Sequence, residues 1–148
     1  MGYTHYHYRK EKLDASQFKA FTEDVRKILA NTDVPLSRYD GNDGSPEITD
    51  HSIVFNGVGA DSHETFLINR EFDEPFRQPN EKGFLFAFCK TARKPYDEVV
   101  VACLIAAKYH FGDDIDVSSD GNAAEWEEGA ALYKKATGRI PVVPIDGV

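Results

Sequence analysis

At 148 residues and 16.6 kDa the chain has the length of one domain, enough to bury a core without disulfide staples. Its 17 Lys and Arg against 25 Asp and Glu give a net charge of −8, which repels nucleic acid and anionic membranes over most of a surface. No apolar run reaches the ~20 residues of a membrane span, and the first ten residues lack the apolar stretch of a signal peptide.

The segment YTHYHY near the N-terminus has strand composition, with Tyr3, His5 and His7 on one face and Thr4, Tyr6 and Tyr8 on the other. A helix follows. Asp14 stands as its cap with Gln17 three residues later, Leu13 and Phe18 hold the staple positions, and Phe18, Phe21, Val25, Ile28 and Leu29 recur at helical spacing. Asn31 and Pro35 end it. A polar loop covers 37–51. Two short strands, 53–55 and 65–68, flank a Gly57–Val58–Gly59 hairpin loop, and 69–83, with Pro75 and Pro79, reads as loop.

The strand at 84–90, FLFAFCK, is apolar on both faces and is expected to be covered on both. After the basic turn KTARK, Pro95 opens a helix over 95–111 that is apolar nearly all round and is expected to be central, with Gly112 as its stop. A strand at 115–118 follows. Asn122 and Glu125 then form the box of a last helix, with Trp126, Ala130 and Tyr133 on one face and Gly138 at its end. The stretch 139–148, with Pro141 and Pro144, is an extended tail. The class is α+β: one domain over 1–148, a small mixed sheet containing a βαβ unit, and about three helices.

The strand–helix–strand order carries the functional expectation. A helix of this length returns the chain to the start of the sheet, so the second strand runs parallel to the first and both end at one edge. Lys90, Thr91, Arg93, Lys94 and Tyr96 follow one strand end. Ser118, Ser119 and Asp120 follow the other, and each loop leads into a helix N-terminus. Strand ends and helix N-termini of this kind favour anions.

Other candidates are weaker. His5 and His7 lie two apart on a strand, but spacing identifies no third ligand, so no metal is expected. DGNDGS at 40–45 fails the calcium-loop pattern, with His51 where the closing Glu belongs. Asp61, His63 and Glu64 suit acid–base work but also an ordinary exposed turn. Ser118 and Ser119 have no paired base evident in the sequence. Cys89 and Cys103 match no zinc spacing, sit in apolar segments and read as buried free thiols.

GYTHY at 2–6, FNG at 55–57, ETF at 64–66, FCKTARKPYD at 88–97, HFGDDI at 110–115 and SSDG at 118–121 resemble a family of small proteins encoded by tailed phages and bacteria. The resemblance spans most of the chain. It implies a cytoplasmic setting, linked to phage infection, and carries over no catalytic roles. Relatives in that family carry Trp after GYTHY, where this chain has His7.

The expected function is therefore non-catalytic or weakly catalytic binding of a small anionic ligand of phosphate or nucleotide type, such as a nucleotide signal, without a cofactor. Lys90, Arg93 and Lys94 would supply charge, Thr91 and Ser119 hydrogen bonds, and Tyr3, Tyr6 or Tyr96 a stacking surface. The alternatives are a protein-interaction module using the aromatic N-terminal strand and the tail, and a small hydrolase using Asp61, His63 or Asp120. Nucleic acid and membrane are not expected partners, and nothing in the sequence excludes a homo-oligomer.

Overall fold

Asp14 caps the first helix as its spacing demands: its carboxylate accepts the Gln17 N–H at 3.0 Å, and α1 runs Ala15–Asn31. In the computed structural model, which describes residues 2–42, 44–72 and 78–145, α1 follows the strand β1 (Thr4–Arg9). Then come β2 (Glu47–Ile48), β3 (Ser52–Phe55), β4 (Phe66–Asn69), β5 (Leu85–Lys90), α2 (Asp97–Phe111), β6 (Ile115–Ser119) and α3 (Glu127–Thr137). Asp43, Pro75 and the last three residues of the tail lie outside the described residues.

The architecture is α+β; among the described residues there are three α-helices and two three-stranded sheets, ordered β5-β1-β6 and β2-β3-β4. The β5–α2–β6 unit is present, and its two strands run parallel to each other. They are not neighbours, however. β1 inserts between them and pairs antiparallel with both, so each hydrogen-bonded pair is antiparallel where a mixed sheet is expected. The register sets Thr4 opposite Lys90 and His5 opposite Ser119, bringing both strand ends to one edge.

Helix α2 is buried nearly all round, including Val100, Cys103, Leu104 and Ala107, and packs on both α1 and α3. Gly129 lets α3 come close: a Cβ there would lie 2.3 Å from Val101 Cγ1. In α3 the Asn122 carboxamide accepts the Glu125 N–H at 3.0 Å one turn ahead of the regular helix, and Gly138 closes it at φ +77°.

One face of β1, made by Tyr3, His5, His7 and Arg9, is buried. The opposite face is open and carries Tyr6 and Tyr8 beside Phe86 and Phe88 of β5, with Tyr8–Phe86 ring centroids 5.0 Å apart. The expectation that 84–90 is covered on both faces therefore fails. β5 is an edge strand and Phe88 is 42% exposed, because no element among the described residues packs over this side of the sheet. Residues 139–145 form no helix or strand. Arg139 ties them down through ion-pair contact with Asp24 and a 2.8 Å bond to the Tyr133 hydroxyl. No described helix is long and apolar enough to cross a membrane.

Candidate functional site

The strand-end rim holds most of the residues picked out by sequence, but largely in mutual bonds. Thr91 is fully buried and donates to Asp97 Oδ1 at 2.5 Å. That same oxygen lies 2.6 Å from His5 Nε2, and His5 Nδ1 lies 2.8 Å from Ser119 Oγ. Ser119 Oγ also accepts N–H bonds from Gly121 at 2.9 Å and from the Trp126 indole at 3.2 Å. Its own proton is therefore left for His5 Nδ1, which makes Nε2–H the donor to Asp97.

The order Ser119–His5–Asp97 has the connectivity of a nucleophile, base and orienting carboxylate. Ser119 Oγ is nevertheless saturated by three bonds, and it is not among the residues lining the cleft between the starts of α2 and α3. The triad works as a clamp that joins β1, β6 and the starts of α2 and α3. Tyr3 is packed into the same place: its hydroxyl would lie 2.0 Å from a Cβ at Gly121, and it has no hydrogen-bond partner among the described residues. Burial first, then Asp97 and Glu125, push the Tyr3 phenol up to about 12.

The remaining rim residues scatter. Asp120 accepts the Thr4 N–H at 3.0 Å and the Tyr6 hydroxyl at 2.9 Å. Ser118 is exposed on the opposite sheet face, level with Tyr6. Tyr96 is buried, with its hydroxyl donating to the Glu64 carbonyl. Lys90 is exposed, and its backbone binds Glu64. Arg93 follows Ala92 in a left-handed turn, with φ 60° and 52°, a conformation uncommon outside glycine. Its guanidinium lies 4.0 Å above the Tyr3 ring and is paired with Glu125.

Arg93 and Lys94 do face a cleft of about 330 Å³ between the starts of α2 and α3. That cleft is also lined by Asp97 and Glu98 from one helix and by Glu125, Glu127 and Glu128 from the other. Burial and then the neighbouring Glu128 raise the Glu98 carboxyl above its ordinary range. Five carboxylates against two cations make this rim acidic, and the helix N-termini are already faced by side chains of this chain.

A second concavity lies where the edges of the two sheets meet. At one end Glu64 joins β5: its N–H donates to the Lys90 carbonyl at 3.1 Å, and its carboxylate accepts the Lys90 N–H at 2.8 Å. At the other end the Phe72 N–H donates to the Glu11 carbonyl at 2.8 Å. Between these ties β4 and β5 do not pair, and a cleft of about 370 Å³ opens. Leu67, Phe72, Phe86 and Phe88 form apolar walls, and His7, Arg9 and Ala87 line it from the sheet's buried face.

Arg9 is 1% exposed. Its guanidinium donates to the carbonyls of Lys10 (2.8 Å), Arg70 (2.9 Å), Glu11 (3.2 Å) and Asn69, and lies over the Phe72 ring. None of its partners among the described residues is a carboxylate. Burial lowers its pKa to about 10. His7 is equally enclosed. Burial and then Arg9 push its imidazole down to about 3, and Nε2 has no partner among the described residues. Buried charges are ordinarily paired and buried polar atoms satisfied, so this cleft departs from both rules at adjacent positions of one strand face.

No group of three or more His, Cys, Asp or Glu side chains among the described residues is arranged to hold a metal. Both thiols are buried and raised, Cys89 by burial and then Glu64. No family model matches the chain, and neither a curated protein nor a solved structure matches it.

Sequence reasoning missed this cleft. Its one signal was the alternation of Tyr3, His5 and His7, which extends to Arg9 and places a guanidinium on the same buried face.

Proposed function

We propose that the chain binds a small anionic ligand, and that the ligand sits in the cleft between the two sheets rather than at the strand-end rim. The observation that carries this reading is Arg9, a buried cation with no carboxylate partner among the described residues, lining a cleft of mixed polar and apolar walls. A cleft of this size with a few polar groups among apolar walls is a usual form of a small-ligand site. An anion there would supply the missing counter-charge in a low-dielectric setting, where the interaction is strong. At the rim it would compete with Glu125 for Arg93 and face the other carboxylates.

Neither Ser119 nor Asp120 is free to act as a catalytic group. Ser119 is saturated, and Asp120 is committed to Thr4 and Tyr6. Docking of a protein partner is a second reading, favoured by Ile140 and Val142, which are 81% and 77% exposed on the tail.

The test is thermal stabilisation by small anions at constant ionic strength, in the wild type, in Ala87→Leu, which fills the cleft, and in Arg93→Ala, which removes the rim cation. The expected result is stabilisation that survives Arg93→Ala and disappears in Ala87→Leu. The reverse pattern places the ligand at the rim, and no stabilisation by any anion ends the reading.

A further inference from the structure

We infer that the free edge of β5 takes an extended peptide strand from a partner protein, and that the middle side chain of this strand brings a carboxylate into the inter-sheet cleft. The charge of that side chain rests on the reading of the cleft as an anion site. The strand pairing rests on the edge itself.

Backbone polar groups of successive strand residues turn to opposite neighbours. The Tyr3 carbonyl accepts the Thr91 N–H at 3.1 Å, and the Thr4 carbonyl accepts the Asp120 N–H at 2.9 Å. Odd residues of β1 therefore turn toward β5 and even ones toward β6. By the register, Leu85, Ala87 and Cys89 answer β1, while Phe86, Phe88 and Lys90 turn their N–H and C=O groups outward. Lys90 is already met by Glu64, which donates its N–H to the Lys90 carbonyl and accepts the Lys90 N–H on its carboxylate. Donor and acceptor satisfied at one residue is the pattern of an antiparallel rung. The next two rungs, Phe88 and Phe86, have no outward backbone partner among the described residues. An edge that begins a ladder and leaves it open is a template for an added strand. Three residues, about 10 Å of chain, span it, and the cleft opens alongside, where β4 and β5 do not pair.

Side chains directly opposite in a ladder share a face. The residues opposite Phe88 and Phe86 lie on the open aromatic face, beside Tyr6 and Tyr8, and suit β-branched side chains. The residue opposite Ala87 points to the face from which His7 and Arg9 line the cleft. Ala87 is small and leaves it room. Thr65 and Asn69 add polar side chains to the lining, and Leu67 and Phe72 apolar ones. Glu64, the acidic residue of the lining, is held at the Lys90 end, whereas Arg9 stands opposite Leu85 at the other. An acidic side chain in the middle position brings the charge that the Arg9 end lacks.

The experiment is calorimetric titration of the intact chain with a blocked peptide, threonine–valine–aspartate–valine–threonine, beside its asparagine-centred analogue and forms N-methylated at either valine. The aspartate peptide is expected to bind about tenfold or more tightly than the asparagine form and than either N-methylated form. It should also slow amide exchange at Phe86 and Phe88 and leave Ala87 and Cys89 unchanged. Ala87→Leu, which crowds the middle side chain, should abolish binding. Aspartate-selective binding that is indifferent to N-methylation, or that leaves Phe86 and Phe88 unprotected, overturns the strand pairing and leaves the anion reading standing. Asparagine binding as tightly as aspartate, with the N-methyl losses intact, overturns the anion reading and leaves the pairing. If no peptide binds while small anions still stabilise the chain, the inference falls alone; if neither acts, both fall.

Discussion

Lowering the pH probes the buried imidazole of His7 directly. In the folded chain His7 titrates near 3, because burial disfavours its charged form and Arg9 repels it, whereas the unfolded chain binds the proton near 6.5. The folded value lies below the unfolded one, so stability is full above about pH 6.5 and is lost as the pH falls toward 3. Each unit in that window costs about 1.4 kcal/mol, so at pH 4.5 the His7 penalty reaches about 3 kcal/mol. Other groups titrate in the same range, and a non-titrating replacement removes only the His7 part. The assay is urea unfolding of wild type and His7→Gln at pH 7.0, about 5.5 and about 4.5. Wild type should lose about 2–3 kcal/mol more than the variant between the extremes. Equal losses would show that His7 is not a buried neutral imidazole.

Gly129→Ala should destabilise by about 1–3 kcal/mol, since the new methyl meets the Val101 side chain; urea unfolding should show that Val101→Ala restores much of the loss. Ser119→Ala should cost about 1–3 kcal/mol in the same assay, because it strands the Trp126 indole, the Gly121 N–H and one nitrogen of His5. It should leave stabilisation by small anions unchanged, and a loss of that stabilisation instead would tie the clamp to the ligand site. Ile140→Asp with Val142→Asp should leave a single monomeric species in sedimentation velocity. A shift from a larger species to monomer would favour the tail as an interaction surface.

The parts of the fold legible in the sequence are those written locally. Asp14 and Gln17 mark a helix start because capping is an interaction over three residues. The apolar run from Val99 to Ala107 marks a central helix because it leaves no polar face. The order β5–α2–β6 correctly brings Lys90 and Ser119 to one edge. What could not be read is long-range partnership. Ser119 meets His5 across 114 positions and Arg93 meets Glu125 across 32, so neither the clamp nor the acidic rim has a local signature. Arg9 misleads for the same reason: beside Lys10 it reads as surface charge, and its burial depends on carbonyls of residues 69 and 70. The cleft itself is a gap between two sheet edges, set by where Glu64 and Phe72 tie them.

The most direct test of the account is an amide NMR titration of the wild-type chain with small anions, benzoate and inorganic phosphate among them. The account predicts dose-dependent shifts centred on His7, Arg9, Leu67 and residues 86–88, with Arg93, Glu125 and their helix starts unmoved. Shifts confined to residues 91–97 and 119–129 would contradict it and return the anion to the rim.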